Sequence, residues 1–249
     1  GGYPVGVKLL SELKDAGKEY SKEYNTALCY CYNSGPAFVV GIVGIGIYGD
    51  VKAGLIVFLS CVAANFTAAV ITNVRNRPQS GGDIQFSLSG KDFSACLTDA
   101  AKALMNITLA ILLFNATTEL IGYIISNLTG YELPDIVKAI AEVTNIKNSV
   151  TVYSLPVVTA LISFGGLCVI YQLYILAAFK INVVRFILTR SAIAIISALF
   201  CFIIVGISGY EPSIATFAYA TDTVITDPLL LLCVAGMTFV LLKDTEKKI

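Results

Sequence analysis

The chain has 249 residues, 56% hydrophobic and 14% charged, with a mean hydropathy of +0.78; soluble domains carry about a quarter charged residues, so a membrane protein is expected. Seventeen basic residues balance seventeen acidic ones, which leaves no basic field for nucleic acid. There is no His and no Trp, and no nucleophile–base pair or metal cluster stands out, so neither an enzyme nor a resident cofactor or metal is expected.

The opening, Gly1-Gly2-Tyr3-Pro4-Val5-Gly6, reads as the interior of a longer chain, with further helices expected upstream. Residues 4–13 read as a helix too short to span a membrane, followed by a polar link over 14–24 with Lys14, Lys18 and Lys22. A first apolar segment, 27–48, is interrupted at Asn33-Ser34-Gly35-Pro36, where Pro36 removes a backbone donor and forces a kink or stop. Gly49-Asp50 makes a turn, and 51–73 is an uninterrupted span. Arg75-Asn76-Arg77-Pro78 and Ser80-Gly81-Gly82 mark a loop between two halves.

In the second half, 93–102 reads as an interfacial amphipathic helix and 103–128 as a span. A short helix over 134–143 leads into a polar stretch, 144–149. The second interrupted segment, 152–179, breaks at Ser163-Phe164-Gly165-Gly166; full spans follow at 183–207 and 224–242. The division is therefore 1–78 as a first repeat lacking its N-terminal part, 79–102 as a cytoplasmic linker, and 103–249 as a second repeat with a terminal span.

Basic residues beside the spans set the orientation. Lys14, Lys18 and Lys22, the central Arg75, Arg77, Lys91 and Lys102, then Lys180, Arg185 and Arg190, and finally Lys243, Lys247 and Lys248 mark one side as cytoplasmic, the C-terminus included. The connections at 49–50, 127–131 and 208–220 hold no Lys or Arg and face outward. The first interrupted segment then runs outward and the second inward, an inverted repeat. The fold class is all-α: a polytopic membrane protein with two broken transmembrane helices.

Breaks inside apolar helices are tolerated where the freed backbone lines a cavity or packs in protein, and paired breaks point to a transporter's substrate site. Asn33, Ser34 and Gly35 offer hydrogen-bonding side chains and free helix-end groups suited to an anion or a carbonyl; a kink satisfied by neighbouring helices is the alternative. Ser163, Gly165 and Gly166 offer the same chemistry with less side chain, and close packing accounts for them as well. Glu142, Thr144 and Asn145 end the short helix before the second break, as the tip of a re-entrant hairpin or as a surface loop. An acid at membrane depth needs water, a partner or a ligand, and Glu119 in the preceding span reads as a second such acid. Lys8 is expected to snorkel to the interface. Gly44-x-Gly46-x-x-Gly49 matches a dinucleotide fingerprint in letters only; lying in a membrane segment, it reads as small residues for close helix packing. The N-x-T sequons at Asn65, Asn106 and Asn115 fall inside spans and are not glycosylation sites. The seven Cys form no paired framework and read as reduced core residues; nothing completes a metal site around Cys29-Tyr30-Cys31.

Gly1-Gly2-Tyr3-Pro4-Val5-Gly6-Val7-Lys8-Leu9, Asn33-Ser34-Gly35-Pro36-Ala37-Phe38 and Ser163-Phe164-Gly165-Gly166-Leu167 together resemble the sporulation integral membrane protein YlbJ (SpoVV-type) family. That family belongs to the nucleoside recognition, or Gate, group, which resembles concentrative nucleoside transporters. The resemblance implies re-entrant hairpins and broken helices meeting at a central site, with Tyr3 in the first hairpin and Glu142, Thr144 and Asn145 in the second. It implies a bacterial cell membrane, or the mother-cell-derived membrane around the forespore, and dipicolinate as cargo. It departs from the nucleoside carriers in having no acid in the first hairpin before Glu12, which counts against a nucleoside, although Glu142 sits awkwardly beside a dianion.

The expected function is a secondary transporter of a small organic anion. The alternatives are a nucleoside or nucleobase carrier and a non-transporting membrane scaffold of sporulation. The expected partners are the lipid bilayer and the small-molecule substrate; a coupling cation, sodium or proton, stays open. A homo-oligomer rests on fold analogy alone.

Overall fold

Helix α3 (Val51–Arg75) and helix α8 (Val183–Ser208) stand side by side in the computed structural model, which describes residues 2–15, 21–75, 93–146, 154–177 and 179–211. On α3 the buried positions Ala53, Val57, Cys61, Ala64 and Ala68 recur every three or four residues, one face of a helix. On α8 the same spacing gives Phe186, Arg190, Ile193, Ala194, Ser197 and Cys201. The opposite faces, including Leu59, Phe66, Leu188, Leu199 and Phe202, are apolar and exposed, as a lipid-facing surface requires.

The other elements are α1 (Tyr3–Asp15), α2 (Ser21–Cys31), a π-helix (Ala37–Ile47), α4 (Phe93–Thr129), α5 (Asp135–Ala141), a 3₁₀ turn (Val143–Asn145), α6 (Leu155–Phe164) and α7 (Gly166–Leu176). The described part is all-α. Among the described residues four stretches are long and apolar enough to cross a membrane: Val51–Thr72, Ala101–Thr129, Leu155–Leu176 across α6 and α7, and Val183–Ser208. The chain is thus a multi-pass membrane protein.

Three local readings change. The segment 93–102 is not a separate interfacial helix: with no proline to stop it, it runs on as the start of the 37-residue α4, which ends at Gly130 with φ +72°. The two ends of the polar link expected over 14–24 are helical, because α1 continues to Asp15 and α2 begins at Ser21; residues 16–20 lie outside the described residues. Arg190 is not a boundary marker like Lys180 and Arg185. It lies about two turns inside α8 and is fully buried. The loop at 76–92 and the span expected at 224–242 lie outside the described residues.

Two polar contacts tie the ends of the bundle. Asn25 on α2 donates to the Lys180 carbonyl at 3.0 Å and accepts from the Asn182 amide at 3.0 Å. At the other end, Asp50 accepts from the Lys52 amide at 2.9 Å and from the Tyr210 hydroxyl at 2.8 Å. The start of α2 and the start of α8 therefore lie at one end of the described bundle, and the 49–50 turn and residue 210 at another.

The π-helix packs on α3 through glycine. A Cβ on Gly54 would lie 2.7 Å from Val40 Cα and 3.0 Å from Gly44 Cα, and one on Gly44 would lie 2.9 Å from Gly54 Cα. The glycines of the false nucleotide fingerprint thus serve the fold, Gly44 at this crossing and Gly49 in the turn with φ +66°. Gly54→Ala should cost about 1–3 kcal/mol through overpacking, whereas Gly41→Ala, with nothing within 4 Å, should stay within about 0.5 kcal/mol of the parent. Unfolding titrations in detergent measure both; equal effects would refute the close crossing.

The Asp50–Tyr210 contact yields a pH prediction. The Lys52 amide, then the Tyr210 hydroxyl, hold the Asp50 carboxyl below its ordinary value. Burial, then the Asp50 side chain, pushes the Tyr210 phenol up to about 12. A lowered acid stabilises above its unfolded value and a raised phenol stabilises below its own. The contact is therefore complete between about pH 4 and pH 10. It is lost as pH falls through the lowered Asp50 value or rises through about 12. Tyr210→Phe should raise the Asp50 pKa while leaving it below the ordinary value, read by carbon-13 titration of that carboxyl; an unchanged titration would remove Tyr210 from the account.

Candidate functional site

Both interruptions are real and both lie inside the fold. The first leaves α2 at Cys31, passes through non-helical residues 32–35 and restarts at Pro36, with the amides of Phe38 and Val39 both donating to the Gly35 carbonyl at 3.1 Å. Pro36, lacking an amide hydrogen, is well suited to that start. The second is made by Gly165 and Gly166, with φ of +85° and +82°, a backbone state only glycine adopts freely.

The last four carbonyls of α6 are all accounted for. Leu161 accepts from the Gly165 amide at 3.0 Å. Ile162 accepts from the Tyr3 hydroxyl at 2.6 Å, Ser163 from the Arg190 guanidinium, and Phe164 from the Tyr32 hydroxyl at 3.2 Å. Three side chains from three other parts of the chain thus cap one helix end. Tyr3 and Tyr32 pack with ring centroids 4.6 Å apart and planes tilted by 43°, and the Arg190 guanidinium lies 4.6 Å from the Tyr32 ring centre. Arg190 also donates to the Cys29 carbonyl of α2 at 3.0 Å and to Asn65 Oδ1 on α3 at 2.7 Å.

Backbone contacts bring Gly2 to the first break and residues 140–143 to the second. A Cβ on Gly35 would meet Gly2 Cα at 3.6 Å; one on Gly166 would meet the Val143 amide at 3.1 Å and the Ile140 carbonyl at 3.3 Å. Glu142 is 1% exposed, which excludes the surface-loop reading. Its Oε1 accepts from the Thr144 amide at 3.2 Å, and the Cys168 thiol in the first turn of α7 lies beside it.

Four side-chain atoms of this region are buried without a hydrogen-bond partner: Asn33 Oδ1, Ser34 Oγ, Glu142 Oε2 and Arg190 Nε. Ser34 lies near the Tyr3 hydroxyl, which gives its proton to Ile162 and keeps its oxygen lone pairs on the Ser34 side. Buried polar atoms are nearly always paired, so a group of orphans is exceptional.

Of the residues singled out in the sequence, Tyr3, Asn33, Ser34, Gly35, Glu142, Ser163, Gly165 and Gly166 belong to this region. Thr144 contributes only its backbone amide. Asn145 turns away, donating to Asn115 Oδ1 on α4 at 2.8 Å. Glu119 pairs with Lys138 at 3.3 Å, so it is a structural partner of α5. Tyr32, Asn65 and Arg190 escaped the sequence reading. An arginine well inside an apolar run was the available signal, hidden because it also fits a boundary marker. Among the described residues Cys29, Cys61, Cys168 and Cys201 are buried free thiols, and no cluster of Cys, Asp or Glu gathers for a metal.

The chain matches no family model, no curated protein and no solved structure.

Gly165→Ala is expected to be poorly tolerated, since its Cβ would fall 2.0 Å from the Tyr32 hydroxyl in a backbone state hostile to alanine. The loss should be about 2 kcal/mol or more, and Tyr32→Phe in the same chain should recover only part of it. Detergent unfolding of both variants measures this; a Gly165→Ala protein as stable as the parent would contradict the geometry.

Proposed function

We propose that the chain is a secondary transporter of a small organic anion, working by alternating access in a bacterial membrane. The observation that carries this reading is the group of buried, unpartnered polar atoms beside two interrupted helices. Such atoms cost stability unless something else completes them. Arg190 Nε and Ser34 Oγ supply donors, and the first turns of the π-helix and α7 supply partial positive charge. Tyr3 and Tyr32 give one wall an aromatic surface against which a planar ring can lie.

In this reading the two breaks are equivalent points of an inverted repeat. Residues 2–3 and 142–145 form the tips of two re-entrant hairpins, each set against one break. The gate-type resemblance adds dipicolinate, moved during sporulation, as the first cargo to test. A nucleoside carrier is the second reading, favoured by Glu142: its buried carboxylate with one free oxygen suits sugar hydroxyls better than a dianion.

Proteoliposomes bearing the full-length protein, assayed with dipicolinate, uridine and adenosine, separate these readings. Saturable dipicolinate flux, reduced about tenfold or more in Asn33→Ala and Ser163→Ala, is the expected result. Uridine flux abolished by Glu142→Gln would establish the nucleoside reading instead. No flux from folded protein would leave the breaks as packing features of a scaffold.

A further inference from the structure

We infer that Arg190 is the positioning residue of this site, a single side chain that holds the two helix breaks in register. The functional half of the inference rests on the transport reading. Both α2 and α6 end inside the fold, and each end presents carbonyls that have no partner within their own helix and a partial negative charge of roughly half a unit. Arg190 reaches both. One terminal nitrogen donates to the Cys29 carbonyl at 3.0 Å and to Asn65 Oδ1 at 2.7 Å; the other donates to the Ser163 carbonyl and hydroxyl.

Charge explains why a fully buried arginine is accepted here. Its titratable neighbours are Tyr32, Tyr3, Cys61 and Cys29, and among the described residues no carboxylate is paired with it. Two helix C-termini of about half a negative unit each balance one guanidinium. The counter-ion of Arg190 is thus the pair of broken helices itself.

Position gives the functional consequence. Asn33 and Ser34 come four and five residues after Cys29, just past the end of α2, and Ser163 comes two residues before the Gly165-Gly166 break. Any movement of the guanidinium displaces polar groups of both breaks at once. A planar fork whose two terminal nitrogens each donate spans α2, α3 and α6 together; a lysine ammonium carries its three donors on a single nitrogen and lacks that span.

The test uses Arg190→Lys and, in case that variant folds poorly, Asn65→Asp, which offers Arg190 a carboxylate and draws it from the helix ends. Flux in proteoliposomes should show KM raised about tenfold with Vmax within about twofold of the parent in both. A lowered unfolding midpoint with parental KM would show a purely structural residue and overturn the inference. A second readout needs no cargo. Cys29 and Cys61, both buried, should become reactive to a permeant maleimide in Arg190→Lys, mapped by peptide mass. If the parent carries nothing, the transport reading falls while this readout still decides the clamp: thiols that stay unreactive overturn it.

Discussion

A helix interrupted within an apolar layer frees carbonyls and amides that lipid cannot satisfy, and this molecule is built around answering that demand twice. At the second break the answer is complete on the carbonyl side, where Tyr3, Arg190 and Tyr32 each take one of three successive carbonyls. Those donors come from α1, α8 and the chain just after α2, so satisfying one helix end fixes the mutual placement of three distant segments. The tertiary structure is specified here by backbone hydrogen bonding as much as by apolar packing.

Two side chains at the centre, Arg190 and Glu142, divide the work. Arg190 sits at the carbonyl ends of α2 and α6, and Glu142 lies beside the first turn of α7, the amide end of the same interrupted helix. The guanidinium therefore occupies the pole of the helix dipole that favours it, and Glu142 lies at the opposite pole. Had they been paired with each other, both breaks would have lost their compensation. Separation also leaves one atom of each side chain, Arg190 Nε and Glu142 Oε2, free of internal partners.

Glycine provides the closeness that this arrangement needs. Gly44 against Gly54 lets the wide π-helix lie on α3, while Gly35 and Gly166 let Gly2 and residues 140–143 approach the breaks without a side chain between them. Outside this centre the helices present ordinary apolar side chains, as on α3 and α8, where lipid asks only for hydrocarbon.

Composition and hydropathy were sufficient to establish a multi-pass helical membrane protein, since long apolar runs have few other solutions. They also located both interruptions, because Pro36 and the Gly165-Gly166 pair act on the backbone locally, through a missing donor and a left-handed turn. The burial of Glu142, the diversion of Asn145 to Asn115 and the continuity of α4 depended on which segments pack together. Arg190 shows the division most sharply. In the sequence it is a basic residue near the start of a span, equally suited to marking a boundary. Only the folded chain, by bringing two helix ends to one point, supplies the half-charges that make its burial stable.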